Sequence, residues 1–355
     1  MGLKTTDLSL SNPTQAAIDL PDPFEIASLT TEHYSPQSSG AFPIRQQIAR
    51  YYEETFESQV SPEQILLTTS TSEAYSYCLK LIADAGDSIL IPQPSYPLLQ
   101  FLIEAEGLQA IPYPIHSAYG QWILDRDYLV KACNQKTRAI VIVLPNNPTG
   151  HFLSQDDLLW LAELTRERMW LISDEVFADY CWQPYPSQSK SITHLNLQNT
   201  FSLSGLSKIC ALPQMKLGWI VMPNDPVIHK NLELVADTYL SVSSPIQIAA
   251  VKWLANRNQF QSPVRRRCVE SLDLISVKLK GSPWTLLPVQ AGWSAILKGP
   301  SRIESEEDFI INLLDRGFSA HPGFYYDLPF QPGIVLSLLT RSTDLTEGLN
   351  AILSV

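Results

Sequence analysis

The stretch TFSLSGLSKICAL, residues 200–212, joins a short apolar strand to a turn rich in serine and glycine. Lys208 ends that turn, and four apolar or sulfur-containing residues follow it. Most lysines are solvated, but apolar surroundings at a strand end would remove water from this ammonium and lower its pKa. A lysine with a lowered pKa is the kind that forms a Schiff base. Lys208 is therefore the first candidate catalytic residue.

Two similar strand ends lie upstream. Asp174 closes an apolar strand 34 residues before Lys208, and Asn147 lies 27 residues earlier in the turn LPNNPTG, residues 144–150. A carboxylate at a strand end can pair with a protonated ring nitrogen in a cleft, although capping of a surface helix is the competing interpretation. The turn around Asn147 is ordinary turn chemistry, yet turns after strands are where α/β proteins bind ligands.

A fourth strand end, at residues 65–67, leads into TSTSEA, residues 69–74. Ser70 and Glu73 have the spacing of a capping box at a helix start. The ordinary interpretation is a well-capped helix. The functional interpretation is that the N–H groups and hydroxyls of Thr71 and Ser72 form a seat for a phosphate. Each feature is weak alone, but all four lie in order at strand ends of one predicted sheet.

Short apolar strands alternate with amphipathic helices between about residues 65 and 222, which is typical of an α/β sheet covered on both faces. Beyond the first strand, the predicted strands are residues 88–91, 139–144, 170–173, 200–204 and 218–222. The predicted helices are residues 43–57, 245–255, one through 266–280 and a last one from 346, with a strand near 294–297. The change after about residue 242 predicts a second domain. We divide the chain into an N-terminal arm with part of the small domain (1–40), a large domain (41–245) and a small C-terminal domain (246–355).

Composition excludes several classes of protein. The chain has 355 residues, of which 45% are hydrophobic and 17% charged, as in ordinary globular proteins. A net charge of −11 argues against nucleic-acid binding. The apolar runs are far shorter than the roughly 20 residues that span a bilayer, and no signal peptide is visible, so we expect no membrane partner and a cytoplasmic location. Five dispersed cysteines and six dispersed histidines predict reduced thiols and no metal site.

Together these residues resemble the class I/II aminotransferases, which are enzymes of fold type I that depend on pyridoxal 5′-phosphate (PLP). The resemblance extends from Tyr34 to the last helix. It implies an α/β fold in which a large domain has a mostly parallel seven-stranded sheet flanked by helices, beside a small α+β domain. It also implies PLP as cofactor and a homodimer with shared active sites.

The resemblance assigns a role to each candidate residue. Lys208 would hold PLP as a Schiff base and later move the substrate's α-proton, and Asp174 would keep the pyridine nitrogen protonated. Asn147 would hydrogen-bond the 3′-oxygen, and Tyr96 would stack on the ring. The residues implied to bind the phosphate are Thr71, Ser72, Ser207, Lys216 and, across the dimer, Tyr34.

Three positions depart from the family pattern. The phosphate-binding arginine eight residues after the lysine is Lys216, and the tyrosine of an Asp-Glu-x-Tyr motif is Phe177. The arginine that binds the substrate carboxylate aligns with Val335. Either another cation, Arg341 or Arg45, reaches the carboxylate, or the substrate has no α-carboxylate there.

The predicted pocket also has contributions from two irregular segments. Residues 11–14 and the loop from residue 34 to Gly40 are expected to line it. Gly40 and Arg341 are the predicted substrate contacts.

The resemblance favours an aminotransferase that moves an amino group between an amino acid, or a related amine, and an oxo acceptor. A PLP-dependent lyase, decarboxylase or oxidase would use the same residues, because the cofactor carries the chemistry and the pocket selects the bond. A PLP-binding regulatory protein is a third alternative. The acidic charge and the lack of a preceding winged-helix segment argue against it.

Overall fold

The computed structural model describes residues 5–30, 35–182 and 191–354. The strands formed by these residues are β1 (Thr6–Asp7), β2 (Ile65–Thr68), β3 (Ser88–Gln93), β4 (Gln109–Ala118), β5 (Gln121–Leu124), β6 (Thr137–Val143), β7 (Trp170–Asp174), β8 (Thr200–Gly205), β9 (Gly218–Val221), β10 (Thr285–Leu286), β11 (Ser294–Lys298), β12 (Phe318–Ser319), β13 (His321–Pro322) and β14 (Gly333–Ser337). The α-helices are α1 (Pro23–Ile26), α2 (Phe42–Phe56), α3 (Thr71–Ile82), α4 (Leu98–Ala105), α5 (Arg126–Ala132), α6 (Gln155–Thr165), α7 (Leu206–Ile209), α8 (Pro226–Asp237), α9 (Ser244–Ala255), α10 (Arg257–Lys278), α11 (Glu306–Asp315) and α12 (Ser342–Leu353). None of these helices is long and apolar enough to cross a membrane.

The largest sheet has the strand order β2-β9-β8-β7-β6-β3-β4-β5. Strands β8, β7, β6, β3 and β4 are parallel to one another, and β9 and β5 are antiparallel to their neighbours. The predicted mostly parallel seven-stranded sheet is confirmed, and β5 adds an eighth strand at one edge. The sequence analysis missed β4 and β5, which form a hairpin.

Alternation along β6 shows how this sheet is buried on both faces. Ala139, Val141 and Val143 pack with residues of α3, α4 and α8, whereas Ile140 and Ile142 pack with Leu129, Leu158 and Leu161 of α5 and α6. Successive strand residues point to opposite faces, so a run of buried apolar residues requires cover on both sides. The prediction of helices on both faces is confirmed.

A second, antiparallel sheet has the strand order β10-β11-β14-β13. It packs with α10, α11 and α12 in a separate apolar cluster. The N-terminal strand β1 joins this part of the molecule, because it pairs in parallel with β12. The predicted helix through residues 266–280 is too short, since α10 begins at Arg257 and continues through Pro263, a residue that usually ends helices.

The parallel strands bring the predicted site residues together. Asp174 is the last residue of β7, α7 with Lys208 begins directly after β8, and the turn with Asn147 follows β6. The carboxyl ends of parallel strands lie at the same edge of a sheet, where open α/β proteins bind ligands.

Candidate active site

A cavity of about 380 Å³ lies at this edge of the large sheet. Its volume is in the range of small-molecule sites, which is about 300–1,000 Å³. The predicted residues that line it are Thr71, Ser72, Tyr96, Asn147, Asp174, Ser207 and Lys208.

Lys208 lies in the one-turn helix α7, between two aromatic rings. Its Nζ is 5.1 Å from the ring centroid of Trp293 and 5.3 Å from that of Phe177. Burial lowers the pKa of Lys208 to about 8, although the Asp174 carboxylate opposes this shift. The hydroxyl of Tyr180 donates to the Lys208 carbonyl oxygen at 2.8 Å and fixes the backbone. Because the pKa of Lys208 is about 8, a large fraction of its amine is neutral near that pH.

Asp174 is buried at the end of β7. Its Oδ2 accepts a hydrogen bond from the Tyr75 hydroxyl at 3.2 Å, and its Oδ1 accepts one from Val176 N at 3.2 Å. Burial raises the pKa of Asp174 to about 6, while these hydrogen bonds and Lys208 limit the shift. The carboxyl is therefore mostly ionised at pH 7 and offers a negative charge to the cavity.

The N-terminus of α3 supplies hydrogen-bond donors to the cavity. Ser70 caps it, since its Oγ accepts from Glu73 N at 3.2 Å. The Glu73 carboxylate accepts from Thr69 N at 2.6 Å, so it bonds one residue earlier than in the predicted capping box. The first N–H groups of a helix have no partner within it, which makes the start of α3 at Thr71 and Ser72 a site for an anion.

Two glycines allow strand β9 to approach this helix end. A Cβ on Gly218 would lie 2.9 Å from the carbonyl carbon of Ser70, and one on Gly205 would lie 2.9 Å from the Leu217 oxygen. Real Cβ atoms do not approach other atoms so closely. The close approach of β9 to the start of α3 therefore depends on glycine at both positions.

Two adjacent asparagines after β6 have different surroundings. Asn146 is buried, and its Nδ2 donates to Pro94 O at 3.0 Å and to Thr149 Oγ1 at 2.9 Å. Asn147 lines the cavity, with Ser294 Oγ 3.4 Å from its Oδ1. Asn146 holds two loops together, and Asn147 is the one that faces the cavity.

Some predicted residues do not line this cavity. Lys216 is exposed in a left-handed conformation after β8 and α7. Gly40 lines a second cavity instead, and Arg341, at the start of α12, pairs with Asp344 at 2.8 Å. Tyr34 lies outside the described residues.

The structure adds residues that the sequence analysis did not single out. Tyr75 follows Ser72 by three positions and Thr71 by four, so helical spacing alone could have placed it on the same face of α3. The residues that the structure adds to the cavity wall itself come from distant parts of the chain and have no local signal: Ser9, Trp293, Ser294, His321, Tyr325, Tyr326 and Ser337. Of the predicted segment 11–14, Ser11 lines the cavity.

Glu306 joins two segments that contribute residues to the cavity wall. It is the first residue of α11 and is 2% exposed. Its carboxylate accepts from Phe324 N at 2.9 Å and from Gly333 N at 2.6 Å. It therefore joins the 3₁₀ helix Gly323–Tyr326, which carries Tyr325 and Tyr326, to the start of β14.

The family model described as aminotransferase class I and II matches residues 2–343. This chain belongs to that family. Members of the family depend on PLP, so the predicted family and cofactor are confirmed.

Individual relatives agree with this assignment. Glutamate-pyruvate aminotransferase AlaA of Escherichia coli K12 is 28% identical over 257 residues, which are 70% of this chain and 63% of AlaA. The match thus spans less than two thirds of that relative. The (5-formylfuran-3-yl)methyl phosphate transaminase of Methanocaldococcus jannaschii is 26% identical over 325 residues, covering 90% of this chain and 82% of the relative.

A solved structure confirms the fold. That of alanine aminotransferase from Pyrococcus furiosus superposes with a TM-score of 0.88 at 21% identity, covering 99% of this chain and 92% of the other. The chain therefore has the PLP-dependent fold type I that the sequence predicts.

The cavity fits PLP by its own chemistry. Lys208 offers an amine that loses its proton near pH 8, and Asp174 offers a buried negative charge. The start of α3 offers donors for a phosphate. These three groups match the aldehyde, the ring nitrogen and the phosphate of one PLP molecule.

Proposed function

We propose that the chain is a PLP-dependent aminotransferase, which moves an amino group from an amino acid or related amine to an oxo acceptor. The observation that carries the proposal is the buried Lys208, with its lowered pKa, in one cavity with the buried Asp174. Structural lysines are rarely desolvated in this way, because burial of an unpaired ammonium is unfavourable.

Each lining residue would hold one part of the cofactor. Lys208 would bind PLP as a Schiff base, Asp174 would pair with the pyridine nitrogen, and Asn147 would donate to the 3′-oxygen. Tyr96 would stack on the ring. The residues that would hold the phosphate are Thr71, Ser72 and Ser207.

PLP, when bound, withdraws electrons from the bonds to the carbon that bears the substrate's amino group. Lys208 Nζ would accept the proton from that carbon and later give it back. A pKa of about 8 suits both steps, and such general acid–base work contributes about 10²–10⁴-fold. Phe177 and Trp293 would exclude water from Nζ.

Absorbance spectroscopy of the purified protein with PLP tests the proposal. A visible band that is lost when a donor is added, and restored by an oxo acceptor, is the expected result. Loss of the band without recovery, with release of ammonia or carbon dioxide, would instead assign the chain to the lyases, oxidases or decarboxylases. A protein that never develops the band would contradict the proposal.

We also propose a cytoplasmic homodimer in which Tyr34 reaches the neighbouring subunit's phosphate site. The family relationship supports this assembly. Sedimentation at the mass of two 39.8 kDa chains is the expected result, and a single-chain mass at micromolar concentration would exclude it. The domain boundaries at residues 40/41 and 245/246 remain predictions.

A further inference from the structure

One wall of the active cavity is formed by β14 and is apolar. Val335, the central residue of β14, lines the cavity and is 2% exposed. It is held on both sides, since it pairs with Ile296 of β11 and with His321 of β13. Leu336 and Ser337 continue the same wall. The strand register therefore fixes an aliphatic side chain at the position where the family resemblance places an arginine.

The two arginines that could replace it have other partners. Arg45 Nε donates to Gly40 O at 2.9 Å, and its Nη1 donates to Pro62 O at 2.8 Å. Arg341 pairs with Asp344 on the exposed start of α12. Neither belongs to the described residues that line the cavity.

Two ionisable side chains of this wall, His321 and Tyr326, are neutral at pH 7. His321 Nδ1 is 2.9 Å from the Tyr326 hydroxyl, and burial lowers the pKa of His321. Tyr325 also lines the wall, and the pKa of Tyr326 is raised by burial. Among the described lining residues Lys208 is the one cation, and in the proposed function its Nζ accepts the proton from the substrate carbon.

This arrangement disfavours a substrate carboxylate. A carboxylate on the amine carbon would lie against Val335 and Leu336 without a positive partner, and a buried, unpaired anion is strongly unfavourable. An aliphatic or aromatic group would instead gain apolar contact with the same two residues and with Trp293.

We propose that the site acts on primary amines R–CH₂–NH₂ with an aliphatic or aromatic R, and on the corresponding aldehydes, rather than on α-amino acids. The inference rests on the proposed aminotransferase function. The overall exchange is R–CH₂–NH₂ + R′–CHO → R–CHO + R′–CH₂–NH₂. The donor C–N bond breaks as its carbon loses two electrons, and the acceptor carbon gains two electrons and a C–N bond. One water is consumed in the first half and released in the second.

Matched substrate pairs test this specificity. n-Propylamine and L-2-aminobutyrate differ only in the carboxylate, as do 2-phenylethylamine and L-phenylalanine. With the PLP-loaded enzyme, the rate at which each donor removes the visible band gives kcat/KM for that half-reaction. We expect kcat/KM for each amine to exceed that for its amino acid by at least about tenfold. A charge left without a partner lowers binding by about one to two orders of magnitude.

An arginine at position 335 should reverse this substrate preference. Val335→Arg is expected to raise kcat/KM for L-2-aminobutyrate and to lower it for n-propylamine, whereas the uncharged Val335→Leu keeps the wild-type order. Because Val335→Arg places a charge in a buried strand, the wild-type pairs remain decisive if it does not fold.

The outcomes separate this inference from the proposed function. If both wild-type pairs favour the amino acid, the specificity inference is overturned while the aminotransferase function stands. If PLP binds and no donor of either kind removes the band, the aminotransferase function fails and the inference fails with it.

Discussion

Burial of Lys208 lowers the stability of the fold but also lowers the pKa of the amine, which favours its chemistry. Its ammonium loses hydration inside the cavity, which lowers its pKa from 10.5 to about 8. In the unfolded chain the ammonium is hydrated, so folding at neutral pH is opposed by the cost of this desolvation. This lowering of the pKa corresponds to about 3 kcal/mol.

Replacing Lys208 by Met should therefore abolish turnover and the visible PLP band, yet raise the thermal stability of the PLP-free protein at pH 7. The wild-type penalty is fully present below pH 8 and disappears as pH rises to about 10.5, where the lysine is neutral in both states. Thermal unfolding at pH 7 and pH 10 measures the difference.

The control is Lys230→Met on the exposed face of α8. It should change neither turnover nor the pH dependence of unfolding. A Lys208→Met protein that keeps near wild-type turnover would remove Lys208 from the mechanism.

Substitution of Asp174 should lower PLP affinity and turnover more than substitution of Asn147 or Tyr75. Asp174→Asn keeps the shape but loses the charge, so PLP affinity should fall by at least about tenfold and turnover by more. Asn147→Ala and Tyr75→Phe each remove a hydrogen bond and should have smaller effects. Equilibrium titration with PLP, followed by activity at saturating PLP, measures both. Equal, mild losses in the three variants would contradict the role assigned to Asp174.

At the scale of residues, the sequence could indicate a common location where chemistry and strand ends coincide. Asp174, Asn147 and Lys208 each follow a strongly apolar strand, so their common edge could be inferred from the sequence. His321 and Trp293 reach the cavity through long-range packing of the second sheet, and their neighbours in sequence contain no such signal.

At the scale of elements, the close approach of β9 to α3 is a contact that leaves no room for a larger residue at Gly218. Gly218→Ala would place a Cβ 2.9 Å from the Ser70 carbonyl carbon, so the start of α3 must move. We expect weaker PLP binding together with a loss of stability of about 1–3 kcal/mol. PLP titration and chemical unfolding measure the two effects.

Gly299→Ala is the matched control for that variant. Its Cβ would lie 2.7 Å from Pro332 and 2.9 Å from Trp284, in the second sheet rather than beside α3. It should also destabilise the fold but leave PLP affinity unchanged. Equal changes in PLP affinity for both variants would show that the effect comes from general destabilisation.

The junction made by Glu306 gives a second test at this scale. Glu306→Gln leaves one oxygen to accept from two backbone N–H groups, so we expect a loss of about 1–3 kcal/mol in stability. Because Tyr325, Tyr326 and β14 move together, KM for the amine should rise more than kcat falls. The control is Glu307→Gln, an exposed position next to it in α11. A fall in kcat with unchanged KM would contradict this positioning role.

The β4–β5 hairpin shows where element prediction fails. Pro112 and Pro114 interrupt β4 and are usually evidence against a strand. Here they lie in the part of β4 that pairs only with β3, since β5 begins to pair at Ile115. The two prolines are two residues apart, so their nitrogens face the same side of the strand. An open edge tolerates them, but local sequence cannot show which edge is open.

At the scale of the whole molecule, PLP should stabilise the fold that binds it. A ligand present at 100 times its dissociation constant adds about 2.7 kcal/mol to the free energy of unfolding. The unfolding temperature of wild type should therefore rise with PLP concentration, and that of Lys208→Met should rise much less at the same concentration. Differential scanning fluorimetry across a PLP series measures this. Equal shifts in the two proteins would indicate PLP binding outside the cavity.

The overall architecture was predictable because the alternation of strands and helices is a regular, local signal. The second sheet was harder to predict, since β10 and β13 have two residues each and so show no alternating pattern. The contribution of the N-terminal arm follows the same rule. Nothing in residues 6–11 alone indicates that they pair near residue 318.

That pairing has a consequence for synthesis on the ribosome. Thr6 and Asp7 are translated before their partners Phe318 and Ser319, which follow 312 residues later. At about 5–20 residues per second, the arm waits about 15–60 s for its strand partner. Leu8, which is fully buried in the finished protein, stays exposed to the cell during that interval. The nascent arm therefore has a long interval in which it can meet a chaperone.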